Sequence, residues 1–237
     1  MTKNAIVTGA GTGVGRHIAI LLAKAGWNLT LTGRTQGTLE ETRQLAGVDD
    51  STSQLVIGSV ADESFVGELV EQAESKFGPT EVLVNSAGTN TPNRTLEVLS
   101  QEDYHDLINT NLHGSYYAIQ AVLPGMRQAK SGTIVNIVSD ASLWGMPLAG
   151  AAYTISKFGL RGLTQTINAE ENKNGIRACG ILPGEIDTPI LKLRPSEPTA
   201  EHRASMLRPE DVAQCAMLAI ELPSRAVVQE LLVRPCR

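Results

Sequence analysis

The stretch Ala5-Ile6-Val7-Thr8-Gly9-Ala10-Gly11-Thr12-Gly13-Val14-Gly15 joins a short apolar run to a cluster of glycines. The residues that follow place apolar side chains every three or four positions, at Ile18, Leu21, Leu22 and Ala25. This is the period of an amphipathic helix. A strand, a glycine-rich turn and a helix in this order predict a phosphate cradle, because glycine lets the backbone approach a pyrophosphate and the first N–H groups of the helix attract it.

The same alternation of strands and helices continues along the chain. Further strands are predicted at 28–32, 54–57, 81–84, 133–138, 176–182 and 229–233, and further helices at 39–46, 62–77, 101–126, 151–172 and 209–222. The strands are nearly continuous in Val, Ile and Leu, which is typical of a parallel sheet covered on both faces. No linker or repeat divides the chain. We therefore predict an α/β protein in which residues 1–237 form a single Rossmann-type domain, a doubly wound parallel sheet of about seven strands with helices on both faces.

Composition and charge narrow the class of protein further. The chain of 237 residues has a net charge of −5 and no basic run, which argues against nucleic acid or an anionic membrane as a partner. Its three cysteines and four histidines show no metal-ligand spacing. No apolar run reaches the ~20 residues that span a bilayer, and the first predicted strand leaves no room for a signal peptide. We expect a cytoplasmic protein without a metal.

The stretch Ala151-Ala152-Tyr153-Thr154-Ile155-Ser156-Lys157 indicates chemistry. Positions four residues apart lie on one face of a helix, so the ammonium of Lys157 is placed near the phenol of Tyr153. A neighbouring positive charge favours phenolate and lowers a reference pKa of about 10. Only Tyr153 among the tyrosines has a lysine at this spacing. We predict that Tyr153 exchanges a proton with an alcohol or a carbonyl oxygen.

Six motifs occur in one order along the chain. They are Thr8–Gly15 (T-G-x-x-x-G-x-G), Asn85-Ser86-Ala87-Gly88, Asn111-Leu112-His113-Gly114, Asn136-Ile137-Val138-Ser139, Tyr153-x-x-x-Lys157 and Pro183-Gly184-Glu185-Ile186-Asp187-Thr188. In composition, order and spacing they resemble the short-chain dehydrogenase/reductase (SDR) family over nearly the whole chain.

The resemblance implies a catalytic group of four residues. Tyr153 would be the general acid/base, and Lys157 would lower its pKa and bind the nicotinamide ribose. Ser139 would hydrogen-bond the substrate oxygen. Asn111 would hold a water within a helix distortion and so link Lys157 to solvent. The interval from Ser139 to Tyr153 is one residue longer than the family pattern, which leaves Asp140 and Ser142 as alternatives for the serine position.

The resemblance also implies a set of cofactor contacts. These are Gly9, Thr12, Gly13 and Val14 at the pyrophosphate, Ser59, Val60, Asn85, Ala87 and Gly88 at the adenosine, and Pro183, Gly184, Ile186 and Thr188 with Tyr153 and Lys157 at the nicotinamide end. Ser59-Val60 stands where the family often has Asp-Val. The second predicted strand ends in Gly33-Arg34-Thr35, without the acidic residue that grips the ribose of NAD. Arg34 predicts NADP(H), with NAD(H) as the alternative.

The substrate is expected to be a small carbonyl or alcohol. Its selection is assigned to residues 144–150 and to a mobile lid at about 189–208, with a mainly apolar pocket and with Arg194, His202 and Arg203 either meeting an anionic group or solvated. The predicted pocket residues are Trp144, Met146, Pro147, Leu148 and Leu191. A non-catalytic dinucleotide sensor and an NAD-dependent alcohol dehydrogenase remain alternatives, whereas no G-x-S-x-G motif supports a serine hydrolase.

The resemblance further implies a homodimer or homotetramer. The helices at 101–126 and 151–172 would meet across a two-fold axis. The small and apolar residues proposed for that contact, which could equally pack on the sheet, are Gly159, Gly162, Leu163 and Ile167.

Overall fold

The computed structural model describes residues 3–236 and contains one sheet. Its strands are β1 (Asn4–Thr8), β2 (Asn28–Gly33), β3 (Ser53–Ile57), β4 (Val82–Asn85), β5 (Gly132–Ile137), β6 (Ile176–Pro183) and β7 (Glu230–Val233). All neighbouring pairs are parallel, in the order β3-β2-β1-β4-β5-β6-β7. The predicted Rossmann-type sheet is therefore confirmed, and its order reverses between β1 and β4.

Helices cover both faces of this sheet. They are α1 (Gly13–Lys24), α2 (Gln36–Ala46), α3 (Glu63–Phe77), α4 (Gln101–Ile108), α5 (Gly114–Ala129), α6 (Ala151–Glu171), α7 (Ala200–Ala204) and α8 (Pro209–Glu221), with 3-10 turns at Asp140–Ser142, Asn172–Asn174 and Pro189–Leu193. Asp62 caps α3 as its carboxylate accepts from the N–H groups of Ser64 and Phe65. None of the helices between residues 3 and 236 combines the length and the apolar composition of a membrane-spanning segment.

The two faces hold two separate apolar cores because successive strand residues point in opposite directions. In β1, Val7 packs into the core shared with α1 and α8, whereas Ile6 packs into the core shared with α3 and α5. Both side chains are completely buried. This packing fixes the register of the central strands. It therefore also fixes the position of the turns that follow these strands at the carboxyl edge of the sheet.

The predicted helix at 101–126 is in fact three pieces. Between α4 and α5 lies a π-helical segment, Asn109–His113, which contains the completely buried Asn111. Pro124 lies inside α5 but does not end it, because a buried face that includes Val122, Leu123 and Met126 holds the helix against the core as far as Ala129.

The segment 189–208, predicted as a lid, contains regular secondary structure. It contains the 3-10 turn Pro189–Leu193 and the short helix α7. Its far end is fixed by two backbone hydrogen bonds, from the N–H of Leu207 to the carbonyl of Glu185 (3.0 Å) and from the N–H of Asp187 to the carbonyl of Leu207 (2.9 Å). The Asp187 carboxylate also pairs with the guanidinium of Arg203 at 2.7 Å.

Two of the residues proposed for a contact on α6 follow the alternative and pack toward the sheet. Ile167 is buried, and Leu163 is partly buried in the same core. The exposed apolar side chains of the two long helices are Ile155 and Phe158 on α6 and Tyr116 on α5.

Candidate active site

A cleft of about 430 Å³ lies where the central strands end. In doubly wound sheets, ligands bind outside the carboxyl ends of the strands at the point where strand order reverses. Most of the predicted site residues line this cleft: Gly9, Thr12, Gly13, Val14, Arg34, Ser59, Val60, Ala87, Gly88, Ser139, Tyr153, Lys157, Pro183, Gly184, Ile186 and Thr188.

The turn between β1 and α1 fits a pyrophosphate. Gly9 and Gly13 have φ angles of +62° and +54°, which disfavour residues with a side chain. A Cβ atom on Gly9 would lie 2.7 Å from the Cα of Ala87. The turn after β1 is therefore in close contact with the turn after β4. Thr12 precedes α1 without a side-chain hydrogen bond to it, and the first turn has no acidic residue. The N–H groups at the start of α1 therefore remain available to an anionic ligand.

Arg34 lies at the opposite end of the cleft from Tyr153. It follows β2, lines the cleft and is exposed. In the described part of the chain, no hydrogen bond or ion pair engages its guanidinium, and no carboxylate side chain joins it in lining this end. An unpaired arginine in this position fits the additional phosphate of an NADP-type ribose. Ser59 shapes the adjacent turn, because its hydroxyl accepts from the N–H of Ala61 at 3.3 Å.

Tyr153, Lys157 and Ser139 come together at the other end. The Nζ of Lys157 lies 5.5 Å from the centroid of the Tyr153 ring and donates to the carbonyl of Ile137 at 2.9 Å. Ser139 follows β5, and its Oγ accepts from the N–H of Ala141 at 3.1 Å. The Ser139 hydroxyl is near enough to the Tyr153 phenol to lower its pKa. The strand end and one turn of α6 thus bring a phenol, a hydroxyl and an ammonium to one place.

The predicted lowering of the Tyr153 pKa by Lys157 is wrong, because Lys157 is not among the groups that shift it. Enclosure by the protein and the negative charge of Asp140 raise the pKa of Tyr153, against the opposing effects of the Ser139 hydroxyl and the charge of Arg94. Burial also lowers the pKa of Lys157 to about 8. Both shifts have the same cause, since withdrawal from water disfavours the charged form of each group.

The structure separates the candidates for the serine position. Ser142 is completely buried, and its Oγ donates to the carbonyl of Ser139 at 2.7 Å, outside the cleft. Asp140 lines the cleft, but its carboxylate pairs with the guanidinium of Arg234 at 3.3 Å. Ser139 is therefore the hydroxyl presented beside Tyr153.

Two predicted residues, Asn85 and Asn111, do not line the cleft. The amide of Asn85 donates to the Oδ1 of Asn136 at 2.9 Å inside the sheet and joins β4 to β5, so its cofactor contact stays a prediction. Asn111 is held in the π-helical segment, where its Oδ1 accepts from the N–H of Thr89 at 2.8 Å. A Cβ atom on Gly88 would lie 3.6 Å from that Oδ1 and 3.9 Å from the Nζ of Lys157. The side chains of Asn111 and Lys157 thus both lie close to Gly88.

The substrate end differs from the predicted pocket in two ways. Met146, Leu148 and Leu191 line it as expected, whereas Trp144 and Pro147 do not. Trp144 stacks instead under the guanidinium of Arg234, 4.8 Å from the ring centroid. Sequence reasoning missed Arg94, which lines the cleft although it is only 5% exposed. Its position in the loop after β4, at the carboxyl edge of the sheet, was the available signal.

A doubly wound sheet with a glycine cradle at its reversal point defines a Rossmann-type dinucleotide-binding protein. The sequence profile of the short chain dehydrogenase family matches residues 3–198. An uncharacterized oxidoreductase of Staphylococcus saprophyticus is 36% identical over 236 residues, covering 98% of this chain and 97% of the relative. The chain belongs to the short chain dehydrogenase family of oxidoreductases.

Solved structures give the same result. An alcohol dehydrogenase from the archaeon Thermococcus sibiricus, complexed with 5-hydroxy-NADP, superposes with a TM-score of 0.85 at 29% identity, covering 98% of this chain and 96% of the other. A closed form of serine dehydrogenase complexed with NADP+ has a TM-score of 0.88 at 27% identity, covering 98% and 94%.

Proposed function

We propose that the chain is one catalytic domain that interconverts a carbonyl compound and a secondary alcohol with NADP(H), with Tyr153 as general acid/base. The observation that carries the proposal is the meeting of Tyr153, Ser139 and Lys157 in the cleft that holds the glycine cradle. The bound nicotinamide would supply or accept the hydride. An NAD-dependent alcohol dehydrogenase of the same family remains the second candidate.

The side chains divide the remaining work. In reduction, the Tyr153 hydroxyl gives its proton to the carbonyl oxygen as the alcohol forms, and in oxidation it takes that proton back. The Ser139 hydroxyl donates a hydrogen bond to the same oxygen and stabilises its developing charge. Lys157 would hold the ribose of the cofactor, and Asn111 beside it would position a water that links Tyr153 to solvent. The phenol would regain its proton along this route after reduction and lose one along it after oxidation.

Arg34 supports NADP(H) in this proposal. Its guanidinium is exposed in the cleft after β2, and its neighbours Gly33 and Thr35 offer no carboxylate for a ribose hydroxyl. The two solved relatives that carry NADP or its derivative support the same choice. We also propose a homodimer or homotetramer, in which the exposed Tyr116, Ile155 and Phe158 become covered. Light scattering on the purified protein would give its mass directly.

The catalytic assignment is tested with Tyr153→Phe. Removal of one hydroxyl should lower kcat by at least a hundredfold, because the carbonyl oxygen loses its proton donor. NADPH binding should stay within threefold of the wild type. Tyr104→Phe is the matched control, since Tyr104 lies on α4 away from the cleft. Retention of a tenth or more of the wild-type kcat by Tyr153→Phe would refute the assignment.

A further inference from the structure

Arg94 is a buried cation without a counter-charge. Its side chain is 5% exposed, and none of the carboxylates between residues 3 and 236 forms an ion pair with it. Its Nε donates to the carbonyl of Thr91 at 2.8 Å, its Nη1 to that of Leu148 at 2.8 Å, and its Nη2 to that of Leu193. Buried arginines are usually paired with an acid, because neutral dipoles do not cancel a net charge.

These three bonds leave part of the guanidinium unused. Arginine has five N–H groups, and three of them reach protein acceptors in the described structure. Arg94 lines the cleft with Tyr153, and its charge acts on the Tyr153 phenol to lower its pKa against the effect of burial. Two N–H groups and the positive charge of Arg94 therefore remain available to a ligand at the substrate end of the cleft.

Arg194 adds a second cation on the same wall. It lines the cleft with a side chain 14% exposed, and its Nη2 lies 3.0 Å from a carboxylate oxygen of Glu185. The other carboxylate oxygen of Glu185 lies 3.0 Å from the Nε2 of His202. The other acid nearby, Asp140, pairs with Arg234. Two guanidiniums, Arg94 and Arg194, thus face one carboxylate at this end of the cleft.

The rest of the lining limits what the anion can be attached to. Met146, Leu148, Ile190 and Leu191 surround the same space with apolar side chains. A planar carboxylate is the anion that a guanidinium binds with two parallel hydrogen bonds. A short apolar carbon chain with a carboxylate at one end and a carbonyl or hydroxyl group at the other complements this lining.

We propose that Arg94 and Arg194 bind the carboxylate of the substrate, and that the substrate is a small oxo acid or the corresponding hydroxy acid. The inference rests on the proposed carbonyl–alcohol activity and names its substrate class. Arg94 has two tasks in this account, because it binds the anion and also joins the loop after β4 to the segments that contain Leu148 and Leu193.

Matched pairs of substrates test the inference. Pyruvate, acetoacetate and levulinate are each compared with their methyl esters under NADPH, which keeps the carbonyl and removes the charge. The best oxo acid should have a kcat/KM at least tenfold above that of its ester. Esters that match or exceed their acids in all three pairs would overturn the inference and leave the proposed function intact. Turnover of none of the six compounds also overturns it, and NADPH binding then decides separately about the proposed function.

Variants separate anion binding from loop support. Arg194→Gln should abolish the preference for the acid through KM while the ester stays within twofold. Arg94→Gln should lower kcat/KM for the acid at least tenfold more than for the ester, and Arg94→Lys should recover part of that difference. Equal losses for acid and ester in both Gln variants would show a purely structural role. Arg203→Gln is the control, because Arg203 pairs with Asp187 and does not line the cleft.

A binding measurement removes the dependence on turnover. Butyrate and butyramide have similar shapes and differ in charge, and their affinities for the enzyme–NADP+ complex can be compared by calorimetry. Butyrate should bind at least tenfold more tightly in the wild type, and Arg194→Gln should remove most of the difference. Equal affinities in the wild type would contradict the assignment of this anion site.

Discussion

Gly9→Ala tests the cradle on which the cofactor site depends. The substitution places a Cβ atom where φ is +62° and where the Cα of Ala87 would be 2.7 Å away. A left-handed residue with a side chain costs about 1–2 kcal/mol, and forcing backbone atoms apart costs about a further 1–3 kcal/mol. We expect the free energy of unfolding to fall by about 2–5 kcal/mol, before a gain of about 0.4–1 kcal/mol from the less flexible unfolded chain.

Two other glycines provide matched controls. Gly26 and Gly47 have φ angles of +76° and +68°, but a Cβ atom on either would meet nothing within 4 Å. Their alanine variants carry the conformational cost and the unfolded-state gain without the steric contact. The difference between Gly9→Ala and these controls should therefore be about 1–3 kcal/mol.

Urea unfolding measures these differences through the midpoint, provided that the slope m is unchanged. The same variants are then titrated with NADPH, and Gly9→Ala alone should bind at least tenfold more weakly, since the turn beside Ala87 is displaced. A Gly9→Ala protein as stable as Gly26→Ala, with unchanged NADPH affinity, would refute the reasoning about the close approach of the two turns.

Two further predictions follow from titrating groups. The guanidinium of Arg127 and the amide of Asn174 hold the pKa of Glu171 at about 2, below its ordinary 4.5. The ionised Glu171 carboxylate therefore stabilises the folded state fully above pH 4.5, and this stabilisation disappears as the pH falls toward 2. Glu171→Gln should therefore lower the free energy of unfolding by about 1–2 kcal/mol at pH 7, and urea titrations at falling pH should show the gap narrowing, whereas a constant gap would contradict this. Because the pKa of Tyr153 is raised, the phenol is protonated at neutral pH; kcat/KM for alcohol oxidation should rise with pH above neutrality while that for carbonyl reduction stays level, and opposite slopes would contradict the assignment.

The features predicted correctly depend on residues close together in the sequence. The glycine turn at Gly9–Gly15 and the pair Tyr153 and Lys157 have spacings that determine their geometry, and the alternating apolar segments define the sheet. The start of the helix predicted at 62–77 is local in the same way, since the Asp62 carboxylate accepts from residues two and three positions later. Such features can be read without knowing what packs against them.

The features that sequence reasoning missed depend on distant segments. Arg94 is buried because Thr91, Leu148 and Leu193 converge on it, and no local pattern reports that convergence. The raised pKa of Tyr153 depends on enclosure by surrounding elements, which spacing along one helix does not describe. The hydrogen bond of the Asn85 amide was missed for a related reason, since its partner Asn136 lies on the neighbouring strand.

The most direct test of the central claim is a parallel titration of the wild-type protein with NADPH and NADH, read from the melting temperature. A ligand that binds only the native state stabilises it by RT ln(1 + [L]/Kd), so the two affinities can be compared from the shifts. The account predicts that NADPH binds at least tenfold more tightly and that Arg34→Gln removes most of this preference. Tighter binding of NADH would contradict the role of Arg34, and binding of neither nucleotide would contradict the proposed enzyme function.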